Sequence, residues 1–340
     1  MVTGASGFVG AHSVRPLVDA GHDARLLVRD VDRARQNLEP LGVDGCEFVV
    51  GDMTDSGAVA EAVDGCEAVL HCAAVVSLDR RRAEEVVAAN PRGTEIVVEA
   101  AAERGLDPIV YTSSAAALFG RGVGKLHAEL PPAAVKSAYG RSKALAEEYV
   151  RRRQADGVPI TITYPGGVTG PPAGTAFGEF TDAVVLHLEK RALPTSGTTS
   201  VIDVRDLGAV HAAAMEPGHG PRRFMCGGRL LTMRDFAGIY HELTGRRFSM
   251  VPAPGFALRG LGRIMDGVRR VVPVDSVFTT EGMTILTRWR GSDDGAVQRE
   301  LGVTFRDVRE TLADAIRGLL AAGRITPKQA GRLADEVEVS

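Results

Sequence analysis

Residues Met1-Val2-Thr3-Gly4-Ala5-Ser6-Gly7-Phe8-Val9-Gly10 decide the fold of this 340-residue chain. A short β-branched run feeds a turn with glycine at every third position, and 8–20 then reads as a helix ended by Gly21. Glycine lets a backbone turn tightly, approach a pyrophosphate without a Cβ clash, and pack the helix close to the sheet. The helix N-terminus adds N–H donors and a partial positive charge for phosphate. In a chain with 40 glycines the spacing alone is a weak signal, and a plain tight turn competes with it. Its position at the first strand-to-helix junction favours a nucleotide site. Only three residues precede the turn, short for a central strand, so the natural start is expected several residues upstream.

Outward from that turn, apolar bursts and helical patterns alternate. Strands are expected at 24–28, 47–50, 68–70, 108–112 and 159–164, with helices at 56–63 and 137–154 among the connections. Asn90-Pro91 is read as a helix start, with Asn90 as N-cap and Pro91 in the first turn, running to about Arg104. Six strands by residue 164, alternating with helices, make an α/β protein with a doubly wound parallel sheet. After Tyr164, Pro165-Gly166-Gly167 and Gly170-Pro171-Pro172 break the alternation. Short strands are expected at 201–204 and 223–226, and Thr232 with Asp235 resembles a capping box before a helix ended near Gly245. The predicted division is a nucleotide-binding domain from 1–165 and 201–227, a substrate-binding domain from 166–200 and 228–290, and a C-terminal helical segment, 291–340.

Composition narrows the class. The 40 Lys+Arg against 43 Asp+Glu leave a net charge of −3 with no basic block, which argues against a nucleic-acid binder. A hydrophobic fraction of 44% excludes wholesale disorder. Cys46, Cys66, Cys72 and Cys226 lack paired C-x-x-C spacing, so neither a metal site nor a disulfide framework is expected. No apolar run reaches the ~18 residues of a membrane span, and the cytoplasm is the default compartment.

Selectivity at the cofactor ribose depends on the end of the second strand, Val28-Arg29-Asp30. A carboxylate there would hold ribose hydroxyls, whereas Arg can pair with a 2′-phosphate and stack on adenine. Arg29 comes first after the strand, favouring NADP(H) over NAD(H); a solvated Arg29 with Asp30 on the ribose is the alternative. Asp52, in Gly51-Asp52-Met53, is placed to accept from an adenine amino group, although an Asp in a turn is more often a cap.

Tyr139 and Lys143 stand four residues apart on one helix face. A cation so placed stabilises phenolate and lowers the tyrosine pKa towards the range of a working acid/base. With 5 Tyr and 5 Lys in the chain, chance would supply only about 0.07 such pairs. Ser113 and Ser114 end the fifth predicted strand, where hydroxyls face the ligand crevice of an open α/β sheet. Ser114 is the favoured substrate-orienting group, Ser113 the competitor, and capping of the next turn the structural alternative.

Gly4-x-x-Gly7-x-x-Gly10, Asp52, Leu70-His-Cys-Ala-Ala74, Asn90-x-x-Gly93-Thr94, Ser113-Ser114, Tyr139-x-x-x-Lys143 and Pro165-Gly-Gly-Val168 occur in the order of the extended short-chain dehydrogenase/reductases. Over essentially its whole length the chain resembles the dihydroflavonol-reductase-like and hydroxysteroid-dehydrogenase-like branch of that superfamily. The resemblance implies a Rossmann domain and a smaller substrate domain. It implies Tyr139 as general acid/base, Lys143 on the nicotinamide ribose, and Ser114 orienting the substrate. It places Gly4, Gly7, Phe8, Val9, Gly10, Arg29, Asp52, Met53, Cys72, Ala73, Ala74, Pro165 and Val168 with Tyr139 and Lys143 around the cofactor. Ser114-Ala115-Ala116 replaces the Asp-Glu pair of the family's dehydratases, which disfavours dehydration. By analogy with relatives that pair through helices flanking the sheet, a homodimer would use 137–154.

The expected function is oxidoreduction between a carbonyl and a secondary alcohol on a small, apolar substrate. The alternatives are a nucleotide-sugar epimerase with tightly held NAD and a non-catalytic NADP-sensing regulator. Leu118, Phe119 and His127 are candidates for the substrate wall, more often packing than recognition, and 175–180 is expected to contribute from the second domain. The 256–272 stretch, with Arg259, Arg263, Arg269 and Arg270, has the pattern of a basic amphipathic helix; a core-facing helix is favoured over a membrane-lying one.

Overall fold

The computed structural model describes residues 1–76, 82–120, 124–135, 137–268 and 279–337. Its first half alternates without interruption: β1 (Val2–Thr3), α1 (Phe8–Asp19), β2 (Arg25–Val28), α2 (Val31–Leu38), β3 (Glu47–Val50), α3 (Ser56–Val63), β4 (Val69–His71), α4 (Ala83–Ala102), β5 (Ile109–Thr112), α5 (Ala138–Ala155) and β6 (Ile160–Pro165). These strands pair in parallel in the order β6-β5-β4-β1-β2-β3. Short as it is, β1 is central: Val2 registers with Leu26 on one side and Leu70 on the other. The strand order reverses between β1 and β4, and a doubly wound sheet opens its ligand crevice at such a point.

Period-two alternation sends successive strand residues to opposite faces. Leu26, Val28, Leu70 and Val110 pack under the apolar faces of α1 and α2. Leu27, Val49, Val69 and Ile109 pack with residues of α3, α4 and α5 on the other side. Both faces are therefore covered, as a parallel sheet requires.

The second half is β7 (Gly167–Thr169), α6 (Thr181–Lys190), β8 (Ala192–Pro194), β9 (Thr198–Asp203), α7 (Val204–Ala213), β10 (Arg222–Cys226), β11 (Arg229–Thr232), α8 (Met233–Thr244), β12 (Ser249–Val251), α9 (Gly255–Val268), α10 (Thr280–Arg288), α11 (Gly295–Leu301) and α12 (Val308–Ala321). β10 joins β6 as the seventh strand of the main sheet, while β7, β9 and β11 form a separate small sheet. Val184, Phe236, Tyr240, Leu312 and Ile316 from α6, α8 and α12 build a second core, completed by Ile325 and Leu333 of the C-terminal segment. The capping box of α8 forms as expected, and Gly245 ends the helix at φ +71°.

Three expectations are corrected. Asn90 and Pro91 lie inside α4, which starts at Ala83; the Asn90 side chain is drawn instead to Val75 and Ser142. Val204 starts α7 instead of ending a strand, and the strand before it pairs in the small sheet, with Asp203 capping α7 through the Arg205 amide. α9 buries Leu258 and Gly262 but leaves Phe256, Leu261, Ile264 and Val268 exposed, so it is not a core helix. Arg269, Arg270 and Val272 lie outside the described residues.

Candidate active site

The glycine turn folds onto itself and onto the end of β4. Gly4 has φ +78°, and a Cβ there would come within 2.7 Å of the Ala73 nitrogen. A Cβ on Gly10 would sit 2.1 Å from the Gly4 carbonyl oxygen. Gly7 is the N-cap of α1, its amide donating to the Gly4 carbonyl at 2.9 Å. The amides of Phe8, Val9 and Gly10 precede the first intrahelical bond, which runs from Ala11 to Gly7, and so have no partner within the helix. A cradle this close-packed, lined by backbone donors, fits a dinucleotide pyrophosphate. Phe8 is buried edge-on against His12, and Val9 and Val168 are each half-buried against the apolar cluster that contains Phe8.

Cys72-Ala73-Ala74 leave β4 alongside the turn, the Ala73 amide donating to Thr3 Oγ1 at 3.2 Å. Cys72 lies 3.2 Å from Thr112 Oγ1, and burial pushes its thiol up to about 11, so it stays protonated. Pro165 ends β6 opposite Cys226. Asn90 clamps this region: it accepts from the Val75 amide at 2.6 Å and donates to the Val75 carbonyl and to Ser142 Oγ, each at 2.9 Å. One side chain thus ties the loop after β4 to α5.

At the far end of the crevice Arg29 is 73% exposed, with Nη1 3.7 Å from Asp52 Oδ2. Asp52 is also the turn cap, accepting from the Thr54 amide at 2.9 Å and hydroxyl at 2.7 Å. Partial burial works to raise the Asp52 carboxyl, but the Thr54 hydrogen bonds and Arg29 outweigh it and hold the group below its usual range. Asp30 caps α2 through the Arg33 amide. Met53 is buried in space left by Gly93 of α4.

The catalytic candidates meet where β5 ends and α5 begins. Ser137 caps α5, accepting from the Gly140 amide at 3.1 Å. Tyr139 and Lys143 follow on one face. Lys143 is buried, and its ammonium donates to the Thr112 carbonyl at 3.0 Å. Ser114 accepts from the Ala116 amide at 3.2 Å, capping the short turn after β5, and its hydroxyl works to lower the Tyr139 phenol. Ser113 is buried with its hydroxyl unpartnered. Burial lowers the Lys143 ammonium to about 8. Burial and the charge of Glu179 push the Tyr139 phenol well above its ordinary value, reversing the lowering expected from the lysine alone.

Glu179 is the residue the sequence does not single out, although it falls in the indicated 175–180 stretch. It is exposed, and its carboxylate acts on both Tyr139 and Lys143. Enclosure by the surrounding protein nonetheless raises its own pKa. Its neighbours are pinned: a Cβ on Gly178 would meet Val168 and Phe8 at 2.6 and 2.7 Å, and Phe180 packs at 5.9 Å from Phe236. Thr175 is tied to Asn37, whose amide in turn donates to Ser6 of the glycine turn. Of the proposed substrate wall, Leu118 is core, Phe119 stacks on Trp289 at 5.7 Å, and His127 is exposed.

Comparison with known proteins agrees with this architecture. The chain is 28% identical over 338 residues to sterol demethylase protein B of Methylococcus capsulatus, covering 96% of this chain and 99% of that protein. It is 29% identical over 326 residues to a putative dihydroflavonol 4-reductase of Synechocystis, covering 93% and 92%. A 3 beta-hydroxysteroid dehydrogenase/Delta 5-->4-isomerase of Mycobacterium tuberculosis is 31% identical over 288 residues, 80% of this chain and 75% of that protein. Among solved structures, gox2253 superposes with a TM-score of 0.78 at 26% identity, covering 96% and 98%. A UDP-glucose-4-epimerase from Stenotrophomonas maltophila superposes with a TM-score of 0.74 at 18% identity, covering 95% and 98%, which shows a shared fold. The model of the NAD dependent epimerase/dehydratase family matches residues 1–227. The chain therefore belongs to that family, among the extended short-chain dehydrogenase/reductases, and is an NAD(P)-dependent oxidoreductase.

Proposed function

We propose that the protein interconverts a carbonyl and a secondary alcohol on a small, mainly apolar substrate, using NADP(H) in preference to NAD(H). The observation that carries this reading is the buried Lys143 ammonium, one helical turn after Tyr139 on α5 and fixed by the Thr112 carbonyl at 3.0 Å where β5 leads into Ser114. The names of two relatives, a sterol demethylase protein and a hydroxysteroid dehydrogenase/isomerase, favour an apolar polycyclic substrate.

The nicotinamide, when bound, supplies or accepts the hydride. Ser114 and Tyr139 give the substrate oxygen two hydroxyl contacts. A neutral Tyr139 donates its proton to that oxygen as a carbonyl is reduced; the phenolate takes a proton from the alcohol in the other direction. Lys143 would hold the nicotinamide ribose and stabilise the phenolate. Phe8, Val9 and Gly10 amides would hold the pyrophosphate, with Gly4 and Gly7 shaping the cradle. Arg29 would pair with the 2′-phosphate and Asp52 with the adenine amino group, while Met53, Cys72, Ala73, Ala74, Pro165 and Val168 would support the cofactor by packing and backbone contacts. Engagement of Asp30 as the cap of α2 favours Arg29 over Asp30 at the ribose.

The test is a screen of ketones and aldehydes with NADPH and with NADH, read at the reduced-nicotinamide absorbance. Turnover with NADPH is expected; turnover with NADH alone would remove the role given to Arg29. NAD co-purifying with the protein, without net turnover of any ketone, would point instead to an epimerase.

A further inference from the structure

We propose that the exposed face of α9 docks the protein on an anionic bilayer surface. Val251, Phe256, Leu261, Ile264 and Val268 make up five of the nine large hydrophobic residues exposed among the described residues. They fall within one short stretch, with Phe256 73% and Ile264 64% exposed. A concentration of this kind marks an interaction surface, whereas isolated exposed apolar side chains do not.

The arrangement within the helix is asymmetric. At about 100° per residue, Phe256, Ile264, Ala257, Val268 and Leu261 fall within a sector of about 140°. Leu258 and Gly262 face the other way, and a Cβ on Gly262 would lie 2.7 Å from the Thr279 carbonyl oxygen, just before α10. Charge is divided in the same sense. Exposed Arg263 falls about 20° from Phe256, at the rim of the apolar sector. Arg259 lies beyond it, anchored through Thr287 at 2.8 Å. The one carboxylate of α9, Asp266, accepts from the Thr280 amide at 3.2 Å and so belongs to the protein side. An apolar sector rimmed by arginine, with the acid turned inward, complements the interface of an anionic bilayer. No helix among the described residues is long and apolar enough to cross a membrane, so the contact is peripheral.

The face also has a physical link to the reaction centre. α9 packs on α10, whose Glu281 holds Ser137, the cap of α5. If the substrate is apolar, as the proposed function has it, docking would bring the cleft to the phase in which that substrate dissolves.

The test uses the full chain and sedimentation with phosphatidylcholine vesicles, with and without phosphatidylserine. Binding to the phosphatidylserine vesicles is expected, weakened by salt. Phe256→Asp/Ile264→Asp should reduce it at least tenfold. Arg263→Glu should reduce it severalfold on anionic vesicles only. All three side chains are exposed, so melting temperature should hold. Wild-type protein remaining in the supernatant with both vesicle types would overturn the proposal. A wild-type dimer that Phe256→Asp/Ile264→Asp dissociates would assign the face to a second copy and overturn it equally. Vesicle binding is read without turnover, so failure of the carbonyl screen leaves this result standing.

Discussion

Glu281 of α10 holds the cap of α5, the helix that carries Tyr139 and Lys143: its carboxylate accepts from the Ser137 amide at 2.7 Å and from the Ser137 hydroxyl at 2.6 Å. These residues are 144 positions apart, and Tyr139 follows Ser137 by two. Hydrogen bonds to a charged group are worth about 1.5–3 kcal/mol, and a serine cap about 1 kcal/mol. Glu281→Ala is therefore expected to lower kcat by roughly tenfold, with a smaller change in the KM for cofactor. Ser137→Thr, which keeps a capping hydroxyl, should retain more activity than Ser137→Ala. Equal, wild-type kcat in all three variants would remove this positioning role.

Tyr139→Phe removes one hydroxyl and keeps the ring. Loss of a general acid/base costs about 10²–10⁴-fold, so kcat/KM should fall by that order while the melting temperature and cofactor binding persist. Ser114→Ala should lower activity less. Substantial turnover by Tyr139→Phe would contradict the proposed mechanism.

The pH profile follows from Lys143 and Glu179. Burial places the Lys143 ammonium near 8, so it loses its charge as pH rises through that value, and kcat/KM should fall there. Glu179 raises both the lysine and the tyrosine. In Glu179→Gln the alkaline limb should consequently move to lower pH. An unmoved limb would show that Glu179 does not act on the pair.

Acid stability rests on buried neutral histidines. His71 and His211 are lowered to about 3, and His12 and His187 to about 4, each mainly by burial. His211 bridges Ser13 at 2.8 Å and Thr163 at 3.1 Å, and His71 lies 2.7 Å from Thr3 Oγ1. Below the unfolded value of ~6.5 the unfolded chain binds protons that the folded chain refuses. Stability should therefore be full above that pH and fall as pH drops towards 4 and then 3. Urea midpoints measured from pH 7 to pH 4.5 check this; a flat series would contradict it.

At the adenine end, Arg29→Ala should raise the KM for NADPH about tenfold and leave that for NADH unchanged or improved, since Asp52 loses its 3.7 Å partner. Gly10→Ala is a steric counterpart: its Cβ would lie 2.1 Å from the Gly4 oxygen. Titration of either nicotinamide cofactor by fluorescence should show binding lost in Gly10→Ala. Identical NADPH and NADH responses to Arg29→Ala would deny Arg29 its selectivity.

The sequence by itself determined the doubly wound sheet, the glycine turn and the Tyr139–Lys143 pair, because each depends on contacts local in the chain. A period of two, a glycine every third residue and an i, i+4 spacing are written within a few residues. The capping box at Thr232 is legible for the same reason. Only the tertiary structure decided the features made by distant segments meeting. Asn90-Pro91 reads locally as a helix start, but Asn90 is spent on Val75 and Ser142 while α4 continues through it. β7 is hidden by Gly166 and Gly167, which read as breakers; a Cβ on Gly167 would meet the Ser200 carbonyl oxygen at 2.8 Å. For Tyr139 the lysine one turn away is visible in sequence and points to a lowered pKa. Burial and Glu179, 40 residues on, are not visible there, and they reverse the direction. α9 carries an apolar pattern fit for a core, and the pattern cannot say whether protein covers it. Local geometry is encoded by neighbours in the chain, but desolvation and long-range charge depend on which surfaces the whole fold brings together.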